Sequence, residues 1–120
     1  MALPKQHRLR HKKEFTAVYR YGDRSHSSHL GVRGLRLERG ELAVQLPTRI
    51  GISISQKVSK RAVLRNRIKR QIGAALHQLL PRLSDGWWIV ITVQPSAVEC
   101  EYGQFLRELE DTLAKLEVIQ

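Results

Sequence analysis

The chain has one cysteine, Cys100, so no intrachain disulfide can form and nothing calls for an oxidising compartment. It has no apolar run approaching the roughly 20 residues of a membrane-spanning helix. Its opening, Met1-Ala2-Leu3-Pro4-Lys5, lacks the apolar stretch of a secretory signal. Together these predict a cytoplasmic location and no membrane partner. Internal repeats, low-complexity tracts and linkers are lacking too, so the 120 residues read as a single domain, 1–120. Catalytic constellations are equally scarce. No His or acid is placed to activate Ser53 or Ser55, which read as outward-facing strand residues. His26 and His29 stand at i, i+3, yet no cysteine or acidic cluster lies near them in sequence, so they read as polar loop residues and no metal site is expected. Cys100 reads as inert. Glu108, Glu110 and Asp111 read as a solvated face without paired carboxylates, which leaves a self-sufficient metallonuclease without its parts.

Negative charge is the most telling shortage. Eleven acidic residues face 21 Lys and Arg, a formal net charge of +10. That balance favours a nucleic-acid partner. With 42% hydrophobic residues the chain is nonetheless globular in composition. The charge concentrates in Lys57–Arg70, where seven of fourteen residues are Lys or Arg. This is no disordered tail, because Leu64, Ile68, Ile72, Leu76 and Leu79 recur at helical spacing and form one stripe. Asn66, Arg67, Lys69 and Arg70 fan across the side away from the stripe, with Arg65 near its edge. One face can anchor in a core while the other presents cations on a rigid rod. A rigid array loses less side-chain entropy on binding than a flexible tail, and a phosphate backbone is its natural ligand.

The elements follow in order. Residues 1–11 are basic and without period, an extended lead-in. Lys12–Tyr21 reads as a helix with Phe15, Val18 and Tyr19 on one face, closed by Gly22. Ser25–Ser28 reads as a polar connection. Strands are predicted at about His29–Leu37, at Leu42–Leu46 and at Ile50–Ile54. A helix over about Lys60–Leu80 would span on the order of 30 Å and stop at Pro81. Trp87–Val93 reads as a strand buried on both faces, with adjacent Trp87 and Trp88 pointing opposite ways. A last helix over about Tyr102–Leu116 carries Phe105, Leu109, Leu113 and Leu116 on one stripe. The order is α-β-β-β-α-β-α, which predicts an α+β two-layer sandwich with the helices on one side of a mixed sheet.

Arg65-Asn66-Arg67, continued by Ile68-Lys69-Arg70 and approached through Ile50-Gly51-Ile52-Ser53-Ile54-Ser55-Gln56-Lys57-Val58, closely resembles the Arg-Asn-Arg block of the bacterial ribonuclease P protein subunit. Element order and length match that family over nearly the whole chain. The resemblance implies a four-stranded mixed sheet with a left-handed βαβ crossover, a fold shared with a ribosomal-protein domain. It implies a catalytic RNA as partner, precursor tRNA as substrate and endonucleolytic removal of the 5′ leader. The protein would be the non-catalytic subunit of an endoribonuclease, with no obligate protein partner and with Mg2+ held mainly by the RNA. It places Arg65, Asn66, Arg67, Lys69 and Arg70 against the catalytic RNA. It places the leader on Phe15 and Tyr19, with Lys57, Lys60 and Arg61 meeting phosphates. From spacing alone, Phe15 and Tyr19 read as core residues of an amphipathic helix, and only the resemblance brings the leader reading level with that one. The chain departs from the family pattern at Gly73, where a basic residue is common, at Ser59-Lys60-Arg61 and at Thr92-Val93-Gln94-Pro95. A ribosomal or general RNA-binding protein explains the charge and fold as well, but not the motif block.

Overall fold

The computed structural model describes residues 3–37 and 46–119. Among them, three helices and four strands run in the predicted order: α1 (Lys12–Tyr21), β1 (Asp23–His26), β2 (Leu30–Arg36), β3 (Arg49–Ser53), α2 (Ala62–Leu79), β4 (Trp87–Val93) and α3 (Tyr102–Lys115). The identity of one strand differs. Asp23–His26, whose second half falls in the connection expected at Ser25–Ser28, pairs antiparallel with β2 from Asp23↔Gly34 to His26↔Gly31. It carries no apolar residue, so periodicity could not reveal it. The strand expected at Leu42–Leu46 lies outside the described residues except for Leu46, which sits in a bend.

The sheet order is β1-β2-β4-β3. β2 and β4 are antiparallel, while β3 and β4 are parallel and joined by α2 as the crossover that a parallel pair requires. β4 is therefore internal and packed on both faces. Its alternation assigns them. Ile89 and Ile91 join Leu30, Val32, Ile50 and the stripes of α2 and α3 in the main core. Val90 joins Leu9 and Val18 in a smaller cluster with Phe15, Leu35 and Trp88 packed around it. So α2 and α3 form one helical layer, but α1 lies on the opposite face of the sheet, which corrects the expectation that all helices share one side. A ten-residue helix covers only part of that face, and the rest is left open.

The buried stripe of α2 is Ile68, Ile72, Ala75, Leu76 and Leu79, with Leu64 only half-buried near the start. Each fully buried aliphatic side chain contributes about 1.5–3 kcal/mol, enough to hold the cationic face in place. Gly73 is buried, so the departure there leaves no gap in the exposed basic face. Phe105, Leu109 and Leu113 bury the inner side of α3 as expected. Glu108 is a correction: it is 7% exposed, no part of a solvated face. The basic lead-in is extended around a short 3-10 turn at Lys5–His7 and is anchored by buried Leu3 and Leu9. Leu9 donates its N–H to Ile50 O at 3.0 Å and Arg8 bridges Ile50, so the segment lies along the outer edge of β3.

Candidate nucleic-acid interface

Three surfaces carry the site residues. The first is the uncovered part of the sheet beside α1. The register aligns Arg24 with Arg33, and aligns His26, Gly31, Thr92 and Ser53 in the next row of the same face. Arg24, His26, Gly31, Arg33 and Thr92, with Tyr19 and Gln94, surround a concavity of about 600 Å3. Tyr19 is 40% exposed, and the Arg33 guanidinium lies 4.9 Å from its ring centroid while donating to Tyr19 O at 3.1 Å. The aromatic face is thus held beside two arginines above a floor of small, polar side chains. Such a surface suits a single strand of nucleic acid, whose bases stack on aromatics and whose phosphates meet guanidinium groups. Arg24 and Arg33 were not singled out from sequence, and His26 and Gln94 were named only as a loop residue and a departure from the family pattern, though the β2 alternation Gly31, Arg33 could have flagged two positions on the α1 face.

Phe15 is elsewhere. It stands one turn before Tyr19, half-buried against Leu9, Val18 and Val90, and its ring lies on the backbone of Gly51. A Cβ at Gly51 would meet Phe15 Cζ and Cε1 well inside van der Waals contact, so the ring in this place favours glycine at that strand position. One edge of the ring faces a smaller cleft of about 210 Å3 shared with Arg8, Arg10, Ile52 and Lys69. Phe15 is a core residue and a wall at once. The cleft also joins Lys69 to Phe15, although sequence reasoning assigned them to different RNAs.

The third surface is the start of α2 and the loop before it. Val58 is buried and pins the loop, while Lys57, Lys60 and Arg61 are exposed. Ser55 Oγ accepts Lys57 N–H at 3.2 Å and Ser59 Oγ accepts Arg61 N–H at 3.1 Å. These serines brace the turn, a role that needs no nucleophile. No acidic residue stands in the first turn of α2. Cations crowd instead where the helix dipole is already positive, an arrangement that an external anion relieves. The loop cations line neither the Tyr19 concavity nor the Phe15 cleft.

Within the motif, the four long side chains divide. Arg65 donates to Ser59 O at 2.8 Å and Arg67 to Val98 O at 3.1 Å, and both are half-buried. Asn66 and Arg70 are exposed and, with Lys69 and Val63, line an open depression on the outer face. Val63 is 70% exposed in the middle of this charged surface.

Elsewhere, Glu14 buttresses the start of α1. Burial acts to raise its pKa, but the N–H groups of His11 and Arg10, with Arg49 nearby, bring it below the ordinary carboxylate value. Among the described residues, the only group of three side chains that could hold a metal is His29, Cys100 and Glu108. That overturns the reading of His29 as lacking acidic and cysteine neighbours. The set is a poor one for magnesium, which takes oxygen ligands.

Comparison with known proteins decides the family. The sequence model for ribonuclease P matches residues 3–117. The chain belongs to the ribonuclease P protein family. It is 53% identical over 127 residues to a ribonuclease P protein component from Cyanothece sp., covering 98% of this chain and 97% of that one. It is 50% identical over 119 residues to the counterpart from Microcystis aeruginosa, covering 99% and 98%. A ribonuclease P protein structure from Staphylococcus aureus shares the fold at a TM-score of 0.82 and 24% identity, covering 97% of this chain and all of that one. The Thermotoga maritima ribonuclease P protein does so at 0.76 and 18%, covering 90% and 96%. Ribonuclease P proteins are subunits of the ribonucleoprotein endoribonuclease that processes tRNA 5′ ends, so a partner RNA subunit is implied. No helix among the described residues is long and apolar enough to cross a membrane.

Proposed function

We infer that the chain divides its RNA contacts between two faces. The Tyr19–Arg33 concavity takes the single-stranded 5′ leader of precursor tRNA. Asn66, Lys69 and Arg70 on α2, with the loop cations Lys57, Lys60 and Arg61, take the folded partner RNA. Arg65 and Arg67 hold the loop and the Pro95–Glu99 turn, and so position that surface. Magnesium remains with the RNA, where the chemistry occurs. Such an enzyme works in the cytoplasm.

The observation that carries the reading is the arginine-stacked Tyr19 over a polar floor, on a part of the sheet that no helix among the described residues covers. Base stacking on an aromatic is worth about 1–3 kcal/mol. Removing it should therefore weaken leader binding by about 5- to 150-fold.

The test is reconstitution with the cognate RNA at low magnesium, assayed on precursor tRNA with and without its leader. Wild-type protein should lower the magnesium requirement and favour the leader-bearing substrate. Tyr19→Ala and Arg33→Ala should remove that preference while assembling normally. Equal affinity of the wild type for both substrates would favour a general RNA-binding protein and defeat this assignment.

A further inference from the structure

On the helical side of the sheet, at the far end of α3 from the C-terminus, three elements converge. The β1–β2 loop contributes Ser27 and His29. The Pro95–Glu99 turn leads into Cys100. The first half of α3 contributes Gln104 and Glu108, so that Cys100, Gln104 and Glu108 lie at intervals of four. His29 Nδ1 donates to Glu108 Oε2 at 2.6 Å, and Gln104 Nε2 donates to the same oxygen at 2.7 Å. Ser27 Oγ and the backbone N–H of His29 both donate to Oε1, the latter at 2.9 Å. The donor atoms of His29, Cys100 and Glu108 all lie within 4.8 Å of one another. Cys100 is 8% exposed and Glu108 7%.

We propose that His29, Cys100 and Glu108 form a structural site for a divalent cation of the zinc class, which clips the β1–β2 hairpin to α3. Imidazole nitrogen, thiolate sulfur and carboxylate oxygen are each ligands that zinc takes, at about 2.0–2.3 Å, and tetrahedral coordination is its preferred geometry. That geometry puts ligand atoms about 3.4 Å from one another. His29 Nδ1 and Glu108 Oε2, now 2.6 Å apart, therefore separate by about 1 Å as the ion enters, and the sulfur moves in. Water takes the fourth position.

The charges and protons balance. The thiol releases one proton to solvent. The imidazole stays neutral by shifting its proton from Nδ1 to Nε2, on a side chain that is 25% exposed and reaches solvent. One thiolate and one carboxylate then neutralise a divalent ion in a largely buried place. The Gln104 and Ser27 donors and the His29 N–H can stay on the carboxylate as the outer contacts that orient a ligand. The same hairpin carries Arg24, His26 and Gly31 on its other side, so the site is a support and not a reaction centre.

The test uses the full chain, reduced, stripped with chelator and then freed of it. Titration with Co2+ alone should give one equivalent of binding with a thiolate-to-cobalt charge-transfer band, displaced by Zn2+. Saturating Zn2+ should raise the unfolding temperature by about 5 °C or more. Cys100→Ser should abolish the band and the shift. Should that variant fail to fold, His29→Gln keeps a donor to Glu108 while removing the imidazole, and should weaken binding at least tenfold. Absence of the cobalt band in the wild type, or a zinc shift that survives both substitutions, would overturn the site.

Discussion

The contact between Phe15 and Gly51 gives a sharp test of how α1 sits on the sheet. Gly51 has no positive φ, so alanine suits its backbone and would, in an open strand, stabilise by about 0.5–1 kcal/mol. Here its Cβ would overlap the Phe15 ring and come within 3.3 Å of Leu9 Cβ. Overpacking of this kind costs about 1–3 kcal/mol. Phe15→Ala should cost about 2–3 kcal/mol, under the 3–5 typical of a fully buried ring, because Phe15 is only half-buried. The double variant decides the matter. Once the ring is gone the alanine has room, so Gly51→Ala in the Phe15→Ala background should be neutral or slightly stabilising. The coupling energy is then about 1–3 kcal/mol, far from additive. Urea unfolding of the four proteins, followed by tryptophan fluorescence and far-ultraviolet circular dichroism, measures it, with a constant m-value as the check on two-state behaviour. If Gly51→Ala costs the same in both backgrounds to within about 0.5 kcal/mol, the ring does not rest on Gly51. Phe15 would then be a free stacking platform.

Three further outcomes are expected. In chelator, stability should fall in acid through Glu108: burial acts to raise its pKa, but the donors from Ser27, Gln104 and His29 bring it down to about 2, so its contribution is complete above about pH 4.5 and is lost as pH drops toward 2. That contribution is about 3 kcal/mol, and an acid titration of Glu108→Gln should lack it. Arg70→Ala should lower partner-RNA affinity and reduce the log–log salt slope by roughly one unit, whereas Arg67→Ala should also lower the unfolding midpoint because it frees Val98 O; equal midpoints for the two variants would refute the division. Gln94→Arg adds a cation beside Arg24 and Arg33, and should tighten leader binding and steepen its salt dependence by about one unit in filter-binding assays, with no change in assembly.

Much of this was legible in the residues, for reasons that also explain the failures. α2 and α3 announced themselves because apolar side chains repeat at helical spacing, and β4 because it is apolar on both faces. β1 was invisible: Asp23-Arg24-Ser25-His26 has nothing to bury and is a strand only through its ladder to β2. Glu108 looked solvated because its partners, Ser27 and His29, lie some 80 residues away. The motif arginines were legible as a set, but not their division, since Arg65 and Arg67 turn inward onto carbonyls that no spacing rule points to. Tyr19 was named through the resemblance, but the arginines and polar floor of its concavity escaped because they come together only where β1, β2 and β4 lie side by side.

The sheet order also has a consequence for synthesis on the ribosome. β4 lies between β2 and β3, so neither neighbour can complete its pairing until residues 87–93 have been made. At about 5–20 residues per second, roughly 2–8 s separate the end of β3 from the end of β4. In the later part of that interval the basic stretch 57–70 and α2 are made while the apolar faces of β2, β3 and α2 still lack their central partner. The nascent chain is at that stage both sticky and strongly cationic, in the most RNA-rich surroundings of the cell. Protein yield should therefore respond to translation rate between residues 53 and 93 more than to changes near the N-terminus.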